Sequence, residues 1–375
     1  MKKPLLLAAI SLAAILLLAG CGGGGSTAAE AGASAQQAAE TEAAEVATAT
    51  ETNETAEESD LGGSLEADGT SGDKLPQRSS EPAAVSGSPT VYFTSDISAE
   101  GLVRIYEALG WTPSGKTAVK ISTGEPPASN YLRPELIGDL VQKLDGTIVE
   151  CNTAYGGSRA SSAMHRQVAE DHGFTAIADF DLMDEEGEVE WPVTGGSRLD
   201  KIIVGSHAEN YTDWVILSHF KGHAMAGFGG AIKNVGIGIS SPSGKVYVHS
   251  AGTRTSGSIM HSDQDEWLEA LAEMVSGFRD HVGEEHIIYI NVMNRLSVDC
   301  DCDGNPDEPD MHDIGILASF DPVALDQACV DLVYQAQDSE ALVNRIESRN
   351  GIHTLEHAEE IGLGSRTYEM VNIDE

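Results

Sequence analysis

The chain has 375 residues and a formal net charge of −38, from 60 acidic and 22 basic side chains. This charge argues against nucleic acid as a partner, because nucleic-acid binding depends on Lys and Arg side chains that neutralise phosphates. Cations are the partners that the net charge favours.

The first twenty residues have the composition of a cleavable signal peptide. Lys2 and Lys3 precede an apolar run from Leu5 to Leu18, which is shorter than the ~18 to 20 residues that span a bilayer. The sequence Leu18-Ala19-Gly20-Cys21 resembles the bacterial lipobox, in which the cysteine is acylated and becomes the mature N-terminus. We therefore predict a signal peptide over residues 1–20, lipidation of Cys21, and attachment to the extracytoplasmic face of the cell membrane.

Residues 21–90 are predicted to be a lipidated, acidic linker. Between residues 22 and 90 the chain has 13 acidic and two basic side chains and no aromatic residue. Such a segment cannot bury enough apolar surface to offset its loss of conformational entropy on ordering. We expect a disordered tether between the lipid and the folded part.

From Tyr92 onwards, short apolar runs alternate with helical patterns. This alternation predicts one α/β domain over residues 91–375, with helices flanking a layered, mostly parallel or mixed sheet. Asp321 and Pro322 begin one helix with an N-cap and a proline at the first helical position. The predicted strands are 91–94, 116–122, 147–150, 201–204, 214–217 and 286–292, and the predicted helices are 99–109, 133–144, 162–172, 265–282 and 322–334.

Three segments follow predicted strands, at the sheet edge where open α/β proteins bind ligands. They are residues 151–159, 218–238 and 299–313, and we expect them to converge. The second segment has the composition of a glycine-rich loop. Its Lys221, Lys233 and Asn234 are suited to orient an anionic group and to stabilise developing negative charge, and its His219 and His223 are candidate metal ligands.

The acidic segment from Asp299 to Asp310 has three interpretations. Its first is a calcium loop with Gly304 at the sixth position and carboxylates at positions 1, 3 and 5, namely Asp299, Asp301 and Asp303. Its second is a thiolate metal site, because Cys300 and Cys302 favour zinc or iron. Its third is a solvated turn. The four cysteines other than Cys21 also allow two disulfides in three pairings.

Four motifs follow one another along the chain: His-Phe-Lys-Gly-His at 219–223, Gly-Phe-Gly-Gly-Ala-Ile-Lys-Asn at 227–234, Cys-Asp-Cys at 300–302, and Asp-Ile-Gly-Ile-Leu-Ala-Ser-Phe-Asp-Pro-Val-Ala-Leu-Asp-Gln-Ala-Cys at 313–329. In this order they resemble the motifs of the domain of unknown function 362 family, whose relatives include iron-sulfur centre proteins. The resemblance implies catalytic roles for Lys221, Lys233 and Asn234, cofactor binding by His223, Asp313, Asp321 and Asp326, and functional roles for Cys300 and Cys302.

The chain departs from its iron-sulfur relatives where their cluster ligands lie. Those relatives have a cysteine just after the Lys-Asn-x-Gly-x-Gly stretch and a ferredoxin-like set of cysteines beyond it. Here Ser240 and Ser241 occupy the first place, and residues 252–266 contain no cysteine. The expected cofactor is therefore a divalent metal ion, calcium, zinc or iron, rather than an iron-sulfur cluster.

These features together predict a lipid-anchored extracytoplasmic protein that binds a metal ion or metal-containing cofactor, with redox or anionic-substrate chemistry. The alternative is a non-catalytic solute-binding lipoprotein with a structural calcium loop. The sequence does not decide whether the protein is an enzyme.

Overall fold

The structure, a computed structural model, describes residues 87–260 and 263–374. The predicted signal peptide, Cys21 and the linker up to residue 86 lie outside the described residues. Within the described part of the chain, none of the helices combines the length and the apolar character needed to cross a membrane.

The described chain forms strands and helices in alternation. The strands are β1 (Thr90–Thr94), β2 (Thr117–Lys120), β3 (Thr147–Glu150), β4 (Phe180–Leu182), β5 (Glu188–Pro192), β6 (Lys201–Gly205), β7 (Asp213–His219), β8 (Lys221–His223), β9 (Gly227–Gly229), β10 (Ile287–Met293), β11 (Gly315–Ser319) and β12 (Glu369–Asn372). The α-helices are α1 (Ala99–Ala108), α2 (Pro134–Lys143), α3 (Ser162–Asp171), α4 (Ala231–Gly238), α5 (Pro242–His249), α6 (Gln264–Val282), α7 (Pro322–Gln335), α8 (Glu340–Ser348) and α9 (His353–Glu360).

An eight-stranded mixed sheet lies at the centre, in the order β12-β1-β11-β10-β7-β2-β3-β4. Strands β10, β7, β2, β3 and β4 are parallel neighbours, whereas β11 runs antiparallel to both β10 and β1. Two antiparallel hairpins, β5–β6 and β8–β9, stand outside this sheet. The parallel strands bring their carboxyl ends to one edge.

Side chains of the central strands alternate between two hydrophobic cores, one on each face of the sheet, as the period of two along a strand requires. Val119, Val215 and Ile288 are register partners across β2, β7 and β10 and belong to one core, which α1 and α2 cover. Their neighbours Ile216 and Tyr289 belong to the other core, which α4, α6 and α7 cover. The sheet is therefore sandwiched between two layers of helices.

The predicted α/β class with a mixed sheet and flanking helices is confirmed. Each predicted strand and helix is present, with ends that differ by at most two residues. The elements that were not predicted are strands β4, β5, β8, β9, β11 and β12 and helices α4, α5, α8 and α9. Their apolar runs are short, and they depend on partners that are distant in sequence.

The expectation of a glycine-rich loop over residues 218–238 is wrong, because this segment contains the end of β7, the β8–β9 hairpin and helix α4. Asp326 of α7 accepts hydrogen bonds from the backbone N–H groups of Ala231 at 2.8 Å and Ile232 at 3.0 Å. These bonds satisfy the free donors of the first turn of α4. A Cβ atom at Gly230 would lie 2.3 Å from Asp326 Oδ1, so glycine is needed for this approach.

Candidate functional site

A cavity of about 320 Å³ lies beyond the carboxyl ends of β3, β2 and β7, which is within the size range of small-molecule pockets. The three segments that were expected to converge all contribute to its wall. Five Lys or Arg side chains and three His side chains line it, against two carboxylates. These residues are Lys120, Arg159, Lys221, Lys233 and Lys245, then His219, His223 and His249, and finally Glu150 and Asp301.

Lys120 and Glu150 form the floor of the cavity as the last residues of β2 and β3. Both are buried, and Glu150 Oε1 lies 3.8 Å from Lys120 Nζ and 3.7 Å from Arg159 Nη1. Burial lowers the pKa of Lys120 to about 8, although Glu150 partly offsets this effect. Burial alone would raise the pKa of Glu150, but the hydrogen bond from His165 and the surrounding cations hold it well below its usual value.

Asn234 connects helix α4 to the floor of the cavity by hydrogen bonds. Its Nδ2 atom donates to the backbone oxygens of Lys120 at 3.1 Å and Leu217 at 3.2 Å and to Ser218 Oγ at 3.0 Å. Its Oδ1 atom accepts from Lys120 Nζ at 3.0 Å. The side-chain amide of Asn234 thus forms its hydrogen bonds with other groups of the protein. The structure therefore gives Asn234 a positioning role beside the cavity.

Asp301 lies between two predicted metal or anion ligands. Its carboxylate is 2.9 Å from His219 Nδ1 and 2.9 Å from Lys221 Nζ. His219 Nε2 lies 2.6 Å from the backbone oxygen of Asn294, so both ring nitrogens face oxygen atoms of the protein. Burial opposes ionisation of Asp301, but His219 and Lys221 lower its pKa far below the usual value. The structure therefore places His219 and Asp301 in an ion-pair network rather than in a group with free ligand atoms.

Lys233 projects from the first turn of α4. Among the residues that the structure describes, it is the one Lys or Arg of the cavity without a hydrogen-bond or ion-pair partner. By contrast, Lys245 donates to the backbone oxygen of Ser240 at 2.5 Å. Burial, together with the charges of Lys221 and Arg159, lowers the pKa of Lys233 to about 7.

His223, Cys300 and Cys302 form a group that can hold a metal ion, since their ligand atoms lie within 4.8 Å of one another. Cys300 and Cys302 are joined by a disulfide. His223 Nδ1 accepts hydrogen bonds from the backbone N–H groups of Met225 and Ala226 at 3.1 and 2.9 Å, so the proton of the neutral ring is on Nε2, which can donate a hydrogen bond. Burial and the charges of Lys233 and Lys221 hold the pKa of His223 far below its usual value, so the ring is neutral.

Four other predicted site residues are hydrogen-bonded to other groups of the protein. Asp299 lies 3.2 Å from Arg345 Nη1, and Asp303 accepts from the backbone N–H of Asn305. The remaining two are Asp313, which accepts from the Arg295 backbone N–H, and Asp321, the N-cap of α7. Within the described residues, the grouping of metal-ligand atoms does not include Asp299, Asp301 or Asp303, so the structure does not assemble the three carboxylates of the predicted calcium loop.

The four cysteines of residues 87–260 and 263–374 form one disulfide rather than two. Cys151 and Cys329 are free and buried, and burial raises the pKa of Cys151 to about 12. Burial likewise raises the pKa of Cys329 well above its usual value. Neither thiol is therefore suited to act as a thiolate nucleophile or metal ligand at neutral pH.

Sequence reasoning missed Lys120, Glu150 and Lys245 as parts of the site. Lys120 and Glu150 each end a short apolar strand, and a charged residue at that position is a signal that could have identified them. Lys245 gave no such signal, because helix α5 was not predicted.

The family described as Domain of unknown function (DUF362) matches residues 117–331. The chain belongs to this family, which confirms the resemblance seen in its motifs. No curated protein matches the chain.

Two solved structures are similar to parts of the chain. One is the lactate racemase apoprotein from Thermoanaerobacterium thermosaccharolyticum, with 14% identity and a TM-score of 0.36 over 54% of this chain and 50% of that chain. The other is a protein from Thermotoga maritima, with 12% identity and a TM-score of 0.36 over 70% of this chain and 58% of that chain. The chain thus spans less than two thirds of the length of either protein.

Proposed function

We propose that this is a lipid-anchored, extracytoplasmic protein whose basic cavity binds a small anionic molecule beside a metal ion or metal-containing cofactor. The observation that carries the proposal is the concentration of five Lys and Arg side chains in one cavity of a chain with a net charge of −38. Buried cations cost free energy unless they are paired. Glu150 and Asp301 are the two carboxylates that line this cavity, and an anionic ligand would supply further negative charge.

Metal binding is assigned to His223, Cys300 and Cys302. Reduction of the disulfide would provide two thiolates, and sulfur and imidazole ligands favour zinc or iron over calcium. His223 would bind the metal through one ring nitrogen. Because Nδ1 accepts two backbone hydrogen bonds in the structure, binding either replaces these bonds at Nδ1 or requires loss of the proton on Nε2. When bound, such a metal can act as a Lewis acid toward an oxygen of the anionic ligand.

A metal assay tests this part of the proposal. The full-length chain is reduced under anaerobic conditions, offered zinc, iron or calcium separately, and measured for retained metal. We expect retention of zinc or iron, with loss in Cys300→Ser and in His223→Ala. His312→Ala is the matched control, because His312 is an exposed histidine that pairs with Asp338. A reduced wild-type chain that retains none of these metals would contradict the assignment.

A second candidate role, thiol-disulfide exchange, is favoured by the disulfide between Cys300 and Cys302 at the cavity wall. Denatured but unreduced mature protein should then present two thiols, from Cys151 and Cys329, and reduction should add the two thiols of the disulfide. Two extra thiols before reduction would remove this candidate.

Anion binding is tested by thermal unfolding with inorganic phosphate. A ligand that binds only the folded state raises the melting temperature in proportion to the free energy of binding. Lys233→Met should reduce this shift without leaving a carboxylate unpaired, because Lys233 has no partner among the described residues. Lys201→Met is the control, since Lys201 pairs with Glu190 on the surface. Equal phosphate shifts in both variants and the wild type would contradict a role of Lys233 in anion binding, and the absence of any shift in the wild type would contradict a binding role for the cavity.

The membrane part of the proposal is supported by residues 1–21 alone. Cys21→Ser should move the protein from the membrane fraction to the soluble fraction of the cell. Continued membrane association of this variant would argue against lipid attachment at Cys21.

A further inference from the structure

Two lysine side chains pass close to Gly229, but only one of them has a carboxylate partner among the described residues. A Cβ atom built at Gly229 would lie 3.8 Å from Lys221 Cε and 3.9 Å from Lys233 Cδ. Lys221 Nζ is held by Asp301 at 2.9 Å and by the backbone oxygen of His219 at 2.7 Å. Lys233 has no such partner among the described residues. Its amine is therefore free to react with a molecule in the cavity.

The surroundings of Lys233 favour the neutral amine. Lys233 lies in the first turn of α4, at the positive end of the helix dipole. Burial is the largest effect that disfavours a positive charge on Lys233, and the charges of Lys221, Arg159 and Lys120 add to it. A desolvated lysine next to other cations is the usual form of an amine nucleophile in proteins.

We propose that Lys233 is a nucleophile that forms an imine with a small aldehyde or ketone carrying an anionic group. This inference rests on the anion-binding function proposed for the same cavity. The neighbouring cations hold the anionic group, and the cavity volume of about 320 Å³ suits a small molecule.

The reaction balances without an oxidant or reductant. The lone pair of Lys233 Nζ forms a bond to the carbonyl carbon, the carbon-oxygen π electrons move to oxygen, and one proton passes from nitrogen to that oxygen, which gives a carbinolamine. The hydroxyl then takes up one proton from solvent and leaves as water, while the nitrogen lone pair forms the carbon-nitrogen double bond of a protonated imine. The carboxylate of the substrate or of Asp301 favours the positive charge of that imine. Asp301 likewise favours the protonated form of the free Lys233 amine.

Reductive trapping tests the proposal. The full-length chain is incubated with glyoxylate, an aldehyde with a carboxylate, and with cyanoborohydride, and the modified lysines are located by peptide mass mapping. Glycolaldehyde, which lacks the carboxylate, is the comparison compound. We expect glyoxylate to modify Lys233 at least about tenfold faster than the surface residue Lys201, because a larger fraction of its amine is neutral at pH 7. Glycolaldehyde should show a smaller preference.

Two variants make the outcome decisive. Lys233→Arg has a guanidinium group that cannot form an imine, so it should lose the fast adduct. Lys201→Met should keep the fast adduct at Lys233. Adducts spread evenly over the lysines, or a fast adduct that persists in Lys233→Arg, would overturn the proposal.

The same experiment separates this inference from the proposed function. A phosphate shift without an adduct at Lys233 would overturn the imine role and leave the anion-binding function standing. Absence of both the phosphate shift and the adduct would overturn both.

Discussion

Glu150→Gln removes the carboxylate that neutralises the floor of the cavity while keeping the shape of the side chain. Glu150 lies 3.8 Å from Lys120 and 3.7 Å from Arg159, and all three side chains are buried. At an effective dielectric constant of about 20, each attraction contributes roughly 4 kcal/mol. The variant also avoids the free-energy cost of burying a charged carboxylate, which offsets part of the lost attraction. We expect the free energy of unfolding to fall by about 3–5 kcal/mol.

Urea unfolding at pH 7 measures this loss as a lower midpoint with an unchanged slope. Glu190→Gln is the matched control, because Glu190 pairs with Lys201 at 2.7 Å but is 58% exposed, and such pairs contribute about 0–1 kcal/mol. If the two variants lost the same small amount, the reasoning that buried pairing at Glu150 stabilises the fold would be refuted.

The pH dependence of stability supplies an independent check. The pKa of Glu150 lies well below its ordinary value of 4.5 in the folded chain, so the unfolded chain takes up this proton first as the pH falls. Its contribution to stability is complete above pH 4.5 and is lost as the pH falls from there toward the folded-state pKa. The difference in stability between wild type and Glu150→Gln should therefore shrink as the pH falls below about 5.

Two further predictions concern helix α4 and its contacts. Burial raises the pKa of Asp326 from 3.8 to about 6, although its carboxylate accepts three hydrogen bonds. The contribution of Asp326 to the free energy of unfolding should therefore fall by roughly 3 kcal/mol as the pH rises from about 4 to 6. Urea unfolding should show this loss in the wild type but not in Asp326→Asn, and identical pH profiles of the two proteins would contradict the prediction. Gly238→Ala would place a Cβ atom 2.4 Å from Lys120 Nζ and should lower the free energy of unfolding by about 1–3 kcal/mol. Gly156→Ala is the control and should be neutral, because a Cβ atom there meets nothing within 4 Å. Equal effects of the two substitutions would argue against tight packing at Lys120.

Local patterns in the sequence determined most of the framework of the domain. The alternating apolar runs predicted the parallel strands and their helices, because burial of one strand or helix face imposes a period that can be read without knowing its partner. The rule that ligands bind beyond the carboxyl ends of parallel strands also predicted that three distant segments meet. Asp321 was correctly predicted as a helix N-cap, since that hydrogen-bond pattern is local.

Only the tertiary structure decided which side chains neutralise one another. Asp301 was a candidate metal ligand in the sequence, yet it pairs with Lys221, 80 residues away. Asp326 was a candidate cofactor ligand, yet it caps helix α4 from a distance of 95 residues. The pairing of β2 with β3 and β7 sets which buried charges come within reach of one another, and it leaves Lys233 as the unpaired lysine of the described cavity. Such long-range pairing has no period along the chain, so no local pattern could reveal it.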